Sequence, residues 1–467
     1  MTLPRGYAVR LTRSTYVLDG GRALIGGAPT RLLRLTPRAR GLLTERELHV
    51  RDGASAALAD RLLELGMADP IIELLPDAEF PWTLVVPVRD RPDQLARLLA
   101  SVEPGRPTVV VDDASARPAA IAEVAAHFGS ALVTLMTNMG PGGARNAGLA
   151  EVRTPIVVFA DSDIVLDPDT VPILLRHLAD PRVGMAVPRI AGLAVRGSNN
   201  WIGRYEDARS SLDLGRYPAT VRPRSPVSWA STACVVARVD ALGSGFDERM
   251  RVGEDVDLGW RLVEAGWRIR YEPAVRARHE HRTRFGDWFQ RKAVYGTGAS
   301  LLADRHPEAI APAVLAPWSV GVVVALLAQR RWSIPVAGAI AAVTAMRISR
   351  KLTGVEHPLR WGTRLTANGV VGALAQASAL LLRHWWPAAA IGAIASRRVR
   401  RAVIAAAVLD TALEYRRTAA RIDPVRFGIA RRLDDIAYGA GVWFAAVRSR
   451  SIKSLWPAIV TQERETH

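Results

Sequence analysis

Between Thr83 and Phe159 the chain alternates short apolar runs with stretches of amphipathic helical spacing. The runs rich in valine and isoleucine predict strands at 83–88, 108–111, 131–136 and 156–159, and the spacing between them predicts helices at 92–101, 119–128 and 142–152. Strand and helix taking turns over about eighty residues are typical of a parallel α/β sheet. The pattern therefore predicts a nucleotide-binding type of architecture.

Residues 1–75 show a different pattern. Strand-like runs at 14–18 and 23–25 precede two stretches at helical spacing, LLRLTPRARGLL and SAALADRLLELGM. Thr36 followed by Pro37 predicts the start of a helix, and Gly66 predicts the end of another. We interpret this region as a small winged-helix-like unit, which the segment PDAEFPW links to the next domain at residues 82–306.

The region 307–467 is apolar and punctuated by arginine. The run from Ile310 to Ala328 is almost uncharged and close to the ~20 residues needed to span a bilayer, whereas the runs at 332–346, 367–382 and 385–395 are shorter. Arginine clusters such as 397–401 separate them. Membrane-spanning hairpins, helices lying on the interface and a buried helical bundle all fit this pattern.

The composition of the chain limits the classes of molecule that it is expected to bind. The 467 residues are enough for two or three units, and 49% hydrophobic content points to membrane contact. The net charge of +17 is carried almost entirely by scattered arginines, with little aromatic interleaving, so no nucleic acid is expected. Arginine also suits anionic diphosphates and lipid headgroups, and membrane lipids are an expected partner.

Two observations bear on the compartment. Cys234 is the only cysteine, so the chain can form no internal disulfide, which fits a reducing environment. The N-terminal sequence MTLPRGYAVRLTRS lacks the apolar core of a signal peptide. We therefore expect a protein of the cell membrane whose catalytic domain faces the cytoplasm.

Polar residues follow three of the predicted strands, where each strand stops. These strand ends read VVPVRDR at 85–91, VVVDDAS at 109–115 and VFADSD at 158–163. Ligands of parallel sheets bind at the carboxyl ends of the strands. Asp161 and Asp163, one residue apart after an apolar run, thus belong either to a solvated turn or to a binding site.

Two further segments carry polar groups. The loop TNMGPGGARNAG, at 137–148, would let backbone amides approach a diphosphate at a helix start, although a tight turn is the plain alternative. Farther on, Glu254, Asp255 and Asp257 open a predicted helix, where the helix dipole favours acidic residues whatever their function.

An ordered set of motifs resembles the inverting family 2 glycosyltransferases with the GT-A fold. The set comprises VVPVRDR, VDDAS, NMGPGGARNAG, FADSD, WASTACVVARVDALGSGFDE, GEDVDLGWRL and the histidine of VRARHEH. It covers roughly Trp82 to Phe289. The resemblance implies an α/β nucleotide-sugar-binding fold, a UDP-sugar donor and a Mg²⁺ or Mn²⁺ ion.

On the donor side, the resemblance assigns five residues. Pro87 and Arg89 would lie along the nucleotide, and Asp113 would contact the uracil or the ribose. Arg145 would lie at the diphosphate and Asp161 near the ribose.

For the metal and the chemistry, the resemblance assigns three. Asp163 and His279 would bind the ion, and Asp255 would be the general base. Since such a base acts as an ionised carboxylate, we expect no large upward shift of the Asp255 pKa.

Departures from the family pattern indicate which kind of family member this chain is. Processive members carry a QxxRW motif, whereas this chain reads FQRKAVYG, with Gln290 but without the arginine and the tryptophan. A processive polysaccharide synthase is therefore not expected. Trp229, Ser231 and Thr232 fall where the acceptor pocket of the family lies, although Trp229 could equally belong to the core.

The N-terminal unit resembles the PqqD-like peptide-recognition domains, and its fusion to a family 2 domain and an apolar tail resembles the glycosyltransferases of mycofactocin systems. That resemblance implies transfer of glucose from UDP-glucose, through β-1,4 links, onto a peptide-derived precursor of the cofactor. One alternative is a transferase for a cell-envelope glycan or a lipid-linked rhamnose or galactose. Another is a non-catalytic module with a degenerate nucleotide fold, against which the complete set of acidic residues argues.

Overall fold

The computed structural model describes residues 2–77, 79–193, 200–418 and 420–460. The chain forms two compact units, one of Met1–Ser198 with Ser210–His281 and one of Asn199–Arg209 with Arg282–His467. The first unit contains both the N-terminal region and the large sheet. The second contains the apolar helices.

Residues 2–75 form two small antiparallel sheets and one long helix. The sheets have the orders β5-β1-β6 and β2-β3-β4. The elements are β1 Ala8–Leu11, β2 Tyr16–Leu18, β3 Ala23–Gly26, β4 Arg31–Arg34, α1 Pro37–Gly41, β5 Glu47–His49, α2 Gly53–Glu64 and β6 Ala68–Pro70. The predicted strands near 14–18 and 23–25 are confirmed.

The helical interpretation of LLRLTPRARGLL is wrong for its first half. Leu32 and Leu33 pair with Ile25 and Leu24 of the neighbouring strand, so this segment is strand β4. The predicted helix start is confirmed, because the Thr36 hydroxyl accepts a hydrogen bond from the Ala39 amide at 3.2 Å. Helix α1 is consequently only five residues long.

The predicted end of α2 at Gly66 is also confirmed. Gly66 has φ +67°, a left-handed conformation that glycine adopts without strain. Its amide donates to Leu63 O at 3.1 Å and the Met67 amide donates to Leu62 O at 2.9 Å. This pair of bonds is a Schellman motif, which satisfies two of the last carbonyls of the helix.

The large sheet has nine strands, in the order β11-β15-β12-β14-β10-β7-β8-β9, with β13 paired to β15. Its strands are β7 Trp82–Val88, β8 Thr108–Asp112, β9 Ala131–Thr134, β10 Ile156–Ala160, β11 Ile164–Leu166, β12 Val183–Gly192, β13 Ala219–Val221, β14 Cys234–Arg238 and β15 Arg268–His279. The helices of this part are α3 Pro92–Ala100, α4 Pro118–His127, α5 Gly140–Ala150, α6 Thr170–Arg176 and α8 Glu254–Glu264. Every strand and helix predicted between 83 and 159 is present.

The parallel sheet that the sequence predicts is only part of the whole. Strands β10, β7, β8 and β9 are parallel, as expected. Beyond β10 the sheet is mixed, because β14 runs antiparallel to both β10 and β12. The alternation of strands with helices along the sequence did not predict the part of the sheet beyond β10, because long segments join its strands.

Both faces of the sheet are buried. Along β7, Leu84 and Val86 face one apolar layer and Val85 faces the other. Fully burying side chains of this size contributes roughly 1.5–3 kcal/mol each. The double layer explains why these strands are continuously apolar, and it leaves the strand ends as the place for polar groups.

The second unit is largely helical. Its elements are α7 Trp201–Arg209, α9 Phe285–Arg305, β16 Val314–Leu315, α10 Pro317–Leu327, α11 Ser333–Lys351, α12 Pro358–Ala379, α13 Trp386–Ala395, α14 Arg397–Thr418, α15 Pro424–Ser449 and β17 Ala458–Ile459. Helix α9 packs closely on α15, since a Cβ at Gly296 would lie 2.0 Å from Tyr438 O. The second compact unit, which includes Arg282–His467, contains the whole of α9.

The candidate membrane segment differs from the one that the sequence suggested. The run from Ile310 to Ala328 is interrupted by strand β16, and its helix α10 has only 11 residues. Helix α12 instead continues through a π-helical turn at Leu380–His384. The resulting helix Pro358–His384 has 27 residues and contains an 18-residue window of mean hydropathy 1.5, so by length and composition it is long and apolar enough to cross a membrane.

Candidate active site

The carboxyl ends of β10, β7 and β8 lie side by side. Phe159 pairs with Val85, and Val88 pairs with Asp112, so the residues that follow the three strands emerge at the same edge of the sheet. The prediction that carboxylates recur along this edge is confirmed. Arg91, Asp113 and Asp163 all follow these strands directly.

Asp113 anchors the glycine loop. Its Oδ1 accepts a hydrogen bond from the Met139 amide at 2.6 Å, and its Oδ2 accepts one from the Gly140 amide at 3.0 Å. Gly140 has φ +77°, and a Cβ there would lie 2.6 Å from Arg251 Nη1. The buried carboxylate thus fixes the loop at the start of α5, and both of its oxygens are engaged by that loop.

The segment from Gly245 to Arg251 packs on α5 and brings the start of α8 to the site. The Asn146 side chain donates to Phe246 O and accepts from the Phe246 amide, each at 2.8 Å. Arg251 donates to Asn138 Oδ1 at 2.6 Å and to Asn138 O at 2.9 Å. These contacts fix the chain three residues before Glu254.

Arg145 joins the carboxylate pair after β10 to the acidic start of α8. Its Nη2 lies 2.5 Å from Asp161 Oδ1 and its Nη1 lies 3.2 Å from Glu254 Oε1. The guanidinium carbon also lies 5.4 Å from the centre of the Phe246 ring. Because the Arg145 side chain is only 3% exposed, it is a fixed link between the two acidic clusters.

Asp163 lies between two basic side chains. Arg91 pairs with its Oδ2, and His279 Nε2 lies 3.5 Å from its Oδ1. Burial raises the pKa of Asp163, but hydrogen bonding to His279 and the charges of His279 and Arg91 outweigh it and hold that pKa well below its usual range. This carboxylate is an anion at every physiological pH.

Asp255 behaves in the opposite way. Its Oδ1 accepts a hydrogen bond from the Val256 amide at 2.9 Å. Burial, reinforced by the neighbouring carboxylate of Glu254, raises its pKa to about 7, although Arg145 opposes the shift. The expectation of an ordinary Asp255 pKa is therefore wrong, because the sequence does not show that two adjacent carboxylates share a single buried arginine.

The structure also locates the remaining predicted residues. Pro87 is part of β7, where it pairs with Val111. The Arg89 side chain is 54% exposed, and its Nε lies 3.7 Å from Asp90 Oδ2. Trp229 is half-buried.

Two contributors, Arg91 and Arg251, were missed by the sequence interpretation. Arg91, which pairs with Asp163, lies in the quoted motif VVPVRDR, but Arg89 was chosen there. Asn146 and Arg251 hold the loops around the glycine segment. No spacing along the chain pointed to the pairing of Arg91 with Asp163, because the two residues lie 72 positions apart.

The donor atoms can be tested against the metal that the family implies. Asp163 Oδ1 and His279 Nε2 lie close together, and His279 Nδ1 is buried without a hydrogen-bond partner in the structure as described. Within residues 2–77, 79–193, 200–418 and 420–460, no group of three or more His, Cys, Asp or Glu side chains could hold an ion. The two residues fit a divalent ion that takes its other ligands from a diphosphate and water.

Comparisons with known proteins show the family of this chain. The family described as Glycosyl transferase family group 2 matches residues 156–392. The pre-mycofactocin glycosyltransferase of Mycobacterium tuberculosis is 42% identical over 477 residues, which cover 98% of this chain and 99% of that protein. The similarity to this relative thus extends through both compact units.

The chain is also similar, over a smaller part or at lower identity, to one further relative and to one solved structure. The N-acetylglucosaminyl-diphospho-decaprenol L-rhamnosyltransferase of Mycobacterium tuberculosis is 41% identical over 86 residues, covering 17% of this chain and 28% of that protein. Among solved structures, the mannosyltransferase PcManGT from Pyrobaculum calidifontis, in complex with GDP-Man and Mn²⁺, has 20% sequence identity and a TM-score of 0.38. That match covers 64% of this chain and 88% of the other.

The family match and the mixed α/β sheet confirm the predicted GT-A fold class. The residues that the family motifs singled out lie on or just after the ends of β7, β8, β10 and β15, and at the starts of α5 and α8. The family model covers residues 156–392, and the chain is 42% identical to a pre-mycofactocin glycosyltransferase over nearly its full length. The chain therefore belongs to the family 2 glycosyltransferases of the mycofactocin type.

Proposed function

We propose that this enzyme transfers glucose from UDP-glucose onto the peptide-derived mycofactocin precursor, building β-1,4-linked glucose with inversion at C1. The 42% identity to the pre-mycofactocin glycosyltransferase supports the acceptor. The observation that carries the chemistry is Arg145, which contacts both Asp161 and Glu254 and so unites the two acidic clusters in one site.

On the donor side, Asp113 holds the glycine loop through the Met139 and Gly140 amides, and the positive end of the α5 dipole would favour the negative charge of the diphosphate. Asp161 lies toward the ribose, with Pro87 and Arg89 along the nucleotide. Asp163 and His279 would hold Mg²⁺ or Mn²⁺. When bound, that ion would neutralise the negative charge that builds on the UDP leaving group.

Asp255 is the general base in this proposal. Its carboxylate removes the proton from an acceptor hydroxyl as the hydroxyl oxygen attacks C1 from the face opposite UDP. The bond from C1 to the UDP oxygen breaks and its electron pair leaves with UDP, so the configuration at C1 inverts. A pKa near 7 suits this role, because a base is most effective when its pKa lies near the working pH.

The test is a transfer assay on the full-length protein in detergent with the mycofactocin precursor, a panel of UDP-sugars and Mg²⁺ or Mn²⁺, followed by mass spectrometry. Hexose addition with UDP-glucose, lost in Asp255→Asn, is the expected result. Hexose addition that survives in Asp255→Asn would contradict the assigned base. No addition with any donor would contradict the acceptor.

A second candidate is transfer of rhamnose or galactose to a cell-envelope glycan or a lipid-linked acceptor. The 41% identity over 86 residues to a decaprenol-linked rhamnosyltransferase favours it. The match covers only 17% of the chain, so it supports the shared catalytic fold more than the acceptor. Donor turnover that requires Asp163 but leaves the precursor unmodified would favour this second function.

We also propose that the helical region holds the enzyme at the cell membrane, with the catalytic domain in the cytoplasm. The helix Pro358–His384 and the shorter apolar helices α10 and α13 support membrane lipids as partners. Exposed apolar side chains on these helices include Val324, Ile391 and Ile394. Flotation of the full-length protein with phospholipid vesicles, and its failure to float after Ile391→Asp with Ile394→Asp, would test this placement.

A further inference from the structure

A short segment of the sheet domain reaches into the N-terminal region. This strap, residues 222–228, follows β13 and precedes Trp229. The Arg222 guanidinium donates hydrogen bonds to three backbone carbonyls of the N-terminal region: Glu64 O at 2.6 Å, Leu65 O at 3.2 Å and Ala28 O. An arginine with several backbone acceptors is held in a single orientation.

Two of these carbonyls lie at the end of α2. The Schellman motif at Gly66 satisfies Leu62 O and Leu63 O, but it leaves Glu64 O and Leu65 O without partners inside the helix. Arg222 donates to both, and its positive charge lies at the negative end of the helix dipole. The strap therefore completes the C-terminal cap of a helix that belongs to another part of the chain.

The other end of the strap is tied to α8. Inside the strap, the Arg222 amide donates to Val227 O at 3.2 Å, and Ser225 Oγ donates to the same oxygen at 2.7 Å. The next residue, Ser228, accepts a hydrogen bond from Trp260 Nε1 at 2.7 Å. Trp260 lies five residues after Asp255 on the helix that carries the proposed base.

We propose that Arg222 is a positioning residue for the acceptor. It ties the strap to the end of α2, and the strap in turn sets the position of Trp229 and of the start of α8, where the acceptor hydroxyl must meet Asp255. The inference rests on the proposed function in one respect, the role of Asp255 as base. The N-terminal region would thus act on the acceptor side of the site through a fixed contact.

The donor side is held independently. Asp113 fixes the glycine loop, and Arg145 fixes Asp161. None of these bonds involves the strap. Loss of the Arg222 contact should therefore weaken the use of the acceptor and leave the use of the donor largely intact.

The experiment compares the full-length wild type with Arg222→Ala by hydrogen–deuterium exchange and by steady-state kinetics. Exchange of the amides in 222–228 should be at least tenfold faster in the variant. The KM for the mycofactocin precursor should rise at least fivefold, while the KM for UDP-glucose should stay within twofold. Arg222→Lys, which keeps a cation that can reach at least one carbonyl, should recover part of both effects and serves where Arg222→Ala does not fold.

Arg182→Ala is the matched control. Arg182 also bonds to the N-terminal region, through Asp60 at 3.1 Å, but it lies just before β12 and is not part of the strap. Equal KM changes for donor and acceptor, or equal strap exchange in the Arg182→Ala and Arg222→Ala variants, would overturn the proposal.

The exchange result does not depend on activity. If the wild type modifies no precursor, the proposed acceptor is wrong. Unchanged strap exchange in Arg222→Ala would overturn the positioning role whatever the acceptor.

Discussion

Asp163, after β10, and Asp255, at the start of α8, are both carboxylates of the same site, but their pKa values move in opposite directions. Asp163 lies between Arg91 and His279, and its pKa is lowered. Burial raises the pKa of Asp255 to about 7, and the neighbouring Glu254 adds to the rise, while the one arginine nearby, Arg145, opposes it. The number of cations for each carboxylate therefore decides which group stays an anion and which can take up a proton.

The opposite pKa shifts of Asp163 and Asp255 suit two different roles, metal ligand and general base. A group that remains ionised throughout the physiological range is a dependable ligand for a cation. A group that titrates near neutral pH can accept and release a proton during each turnover. Variants that remove one side of the comparison test whether the charge balance, and not the residue type, assigns the roles.

The largest effect is expected for Asp255→Asn, which keeps the shape of the side chain and removes its basicity. Because general base catalysis contributes about 10²–10⁴-fold, kcat should fall by a factor in that range. Binding of the nucleotide-sugar, measured by calorimetry, should stay unchanged. A variant that retains more than a tenth of the wild-type kcat would show that the base is another group.

Arg145→Met should cause the next largest change, because it leaves Asp161 and Glu254 without their shared buried cation. Removing one partner of a buried ion pair costs about 3–5 kcal/mol, and the free energy of unfolding in urea should fall by that amount. Arg153→Met is a suitable control, since Arg153 is exposed and donates to a backbone carbonyl, Ala150 O, at 2.8 Å. A loss no greater than that of the control would mean that water replaces the guanidinium.

The pH dependence should separate Asp255 from Asp163. Protonation of Asp255 below its pKa removes the base, so kcat/KM should fall as the pH drops below about 7. Glu254→Gln removes the neighbouring negative charge and should move this acidic limb down by about one pH unit. An unchanged limb in the variant would assign it to a different group.

The two carboxylates should also affect stability with opposite signs. The raised pKa of Asp255 means that the folded state retains a proton the unfolded chain has lost, so this group destabilises the fold as the pH rises from about 4 to about 7. The lowered pKa of Asp163 contributes stability above its unfolded value near 4, which is lost as the pH falls through its lower folded value. Urea unfolding of Asp255→Asn and Asp163→Asn across this range separates the two slopes.

Sequence patterns predicted the regular half of the sheet because its strands are buried on both faces and its helices are amphipathic. They failed where the pairing of strands decides the structure. Leu32 and Leu33 have helical spacing but pair with β3, and β14 inserts antiparallel between β10 and β12. Spacing along the chain holds no information on such pairings.

The site residues were predictable as residue types at strand ends, but their charge states were not. The low pKa of Asp163 depends on His279 and on Arg91, which lies 72 residues away in sequence. The high pKa of Asp255 comes from burial and from Glu254, and Arg145, which lies 109 residues before Glu254, opposes it. Only the fold places these groups together. The same holds for Arg222, whose role depends on carbonyls more than 150 residues earlier.

Arg91→Gln should give the smallest effect and sharpen the comparison most. Arg91 is 36% exposed, so solvent screens its pair with Asp163, and the free energy of unfolding should fall by less than about 1 kcal/mol. A divalent ion on Asp163 has to compete with the guanidinium that pairs with its Oδ2. Mn²⁺ should therefore bind a few-fold more tightly to the variant, measured by titration at a fixed UDP concentration.

Arg97→Gln is the matched control, because Arg97 pairs with Glu280 and the variant should leave Mn²⁺ binding unchanged. Weaker Mn²⁺ binding in Arg91→Gln would mean that Arg91 orients Asp163 for the metal, and the low pKa of Asp163 would then be a consequence of that orientation.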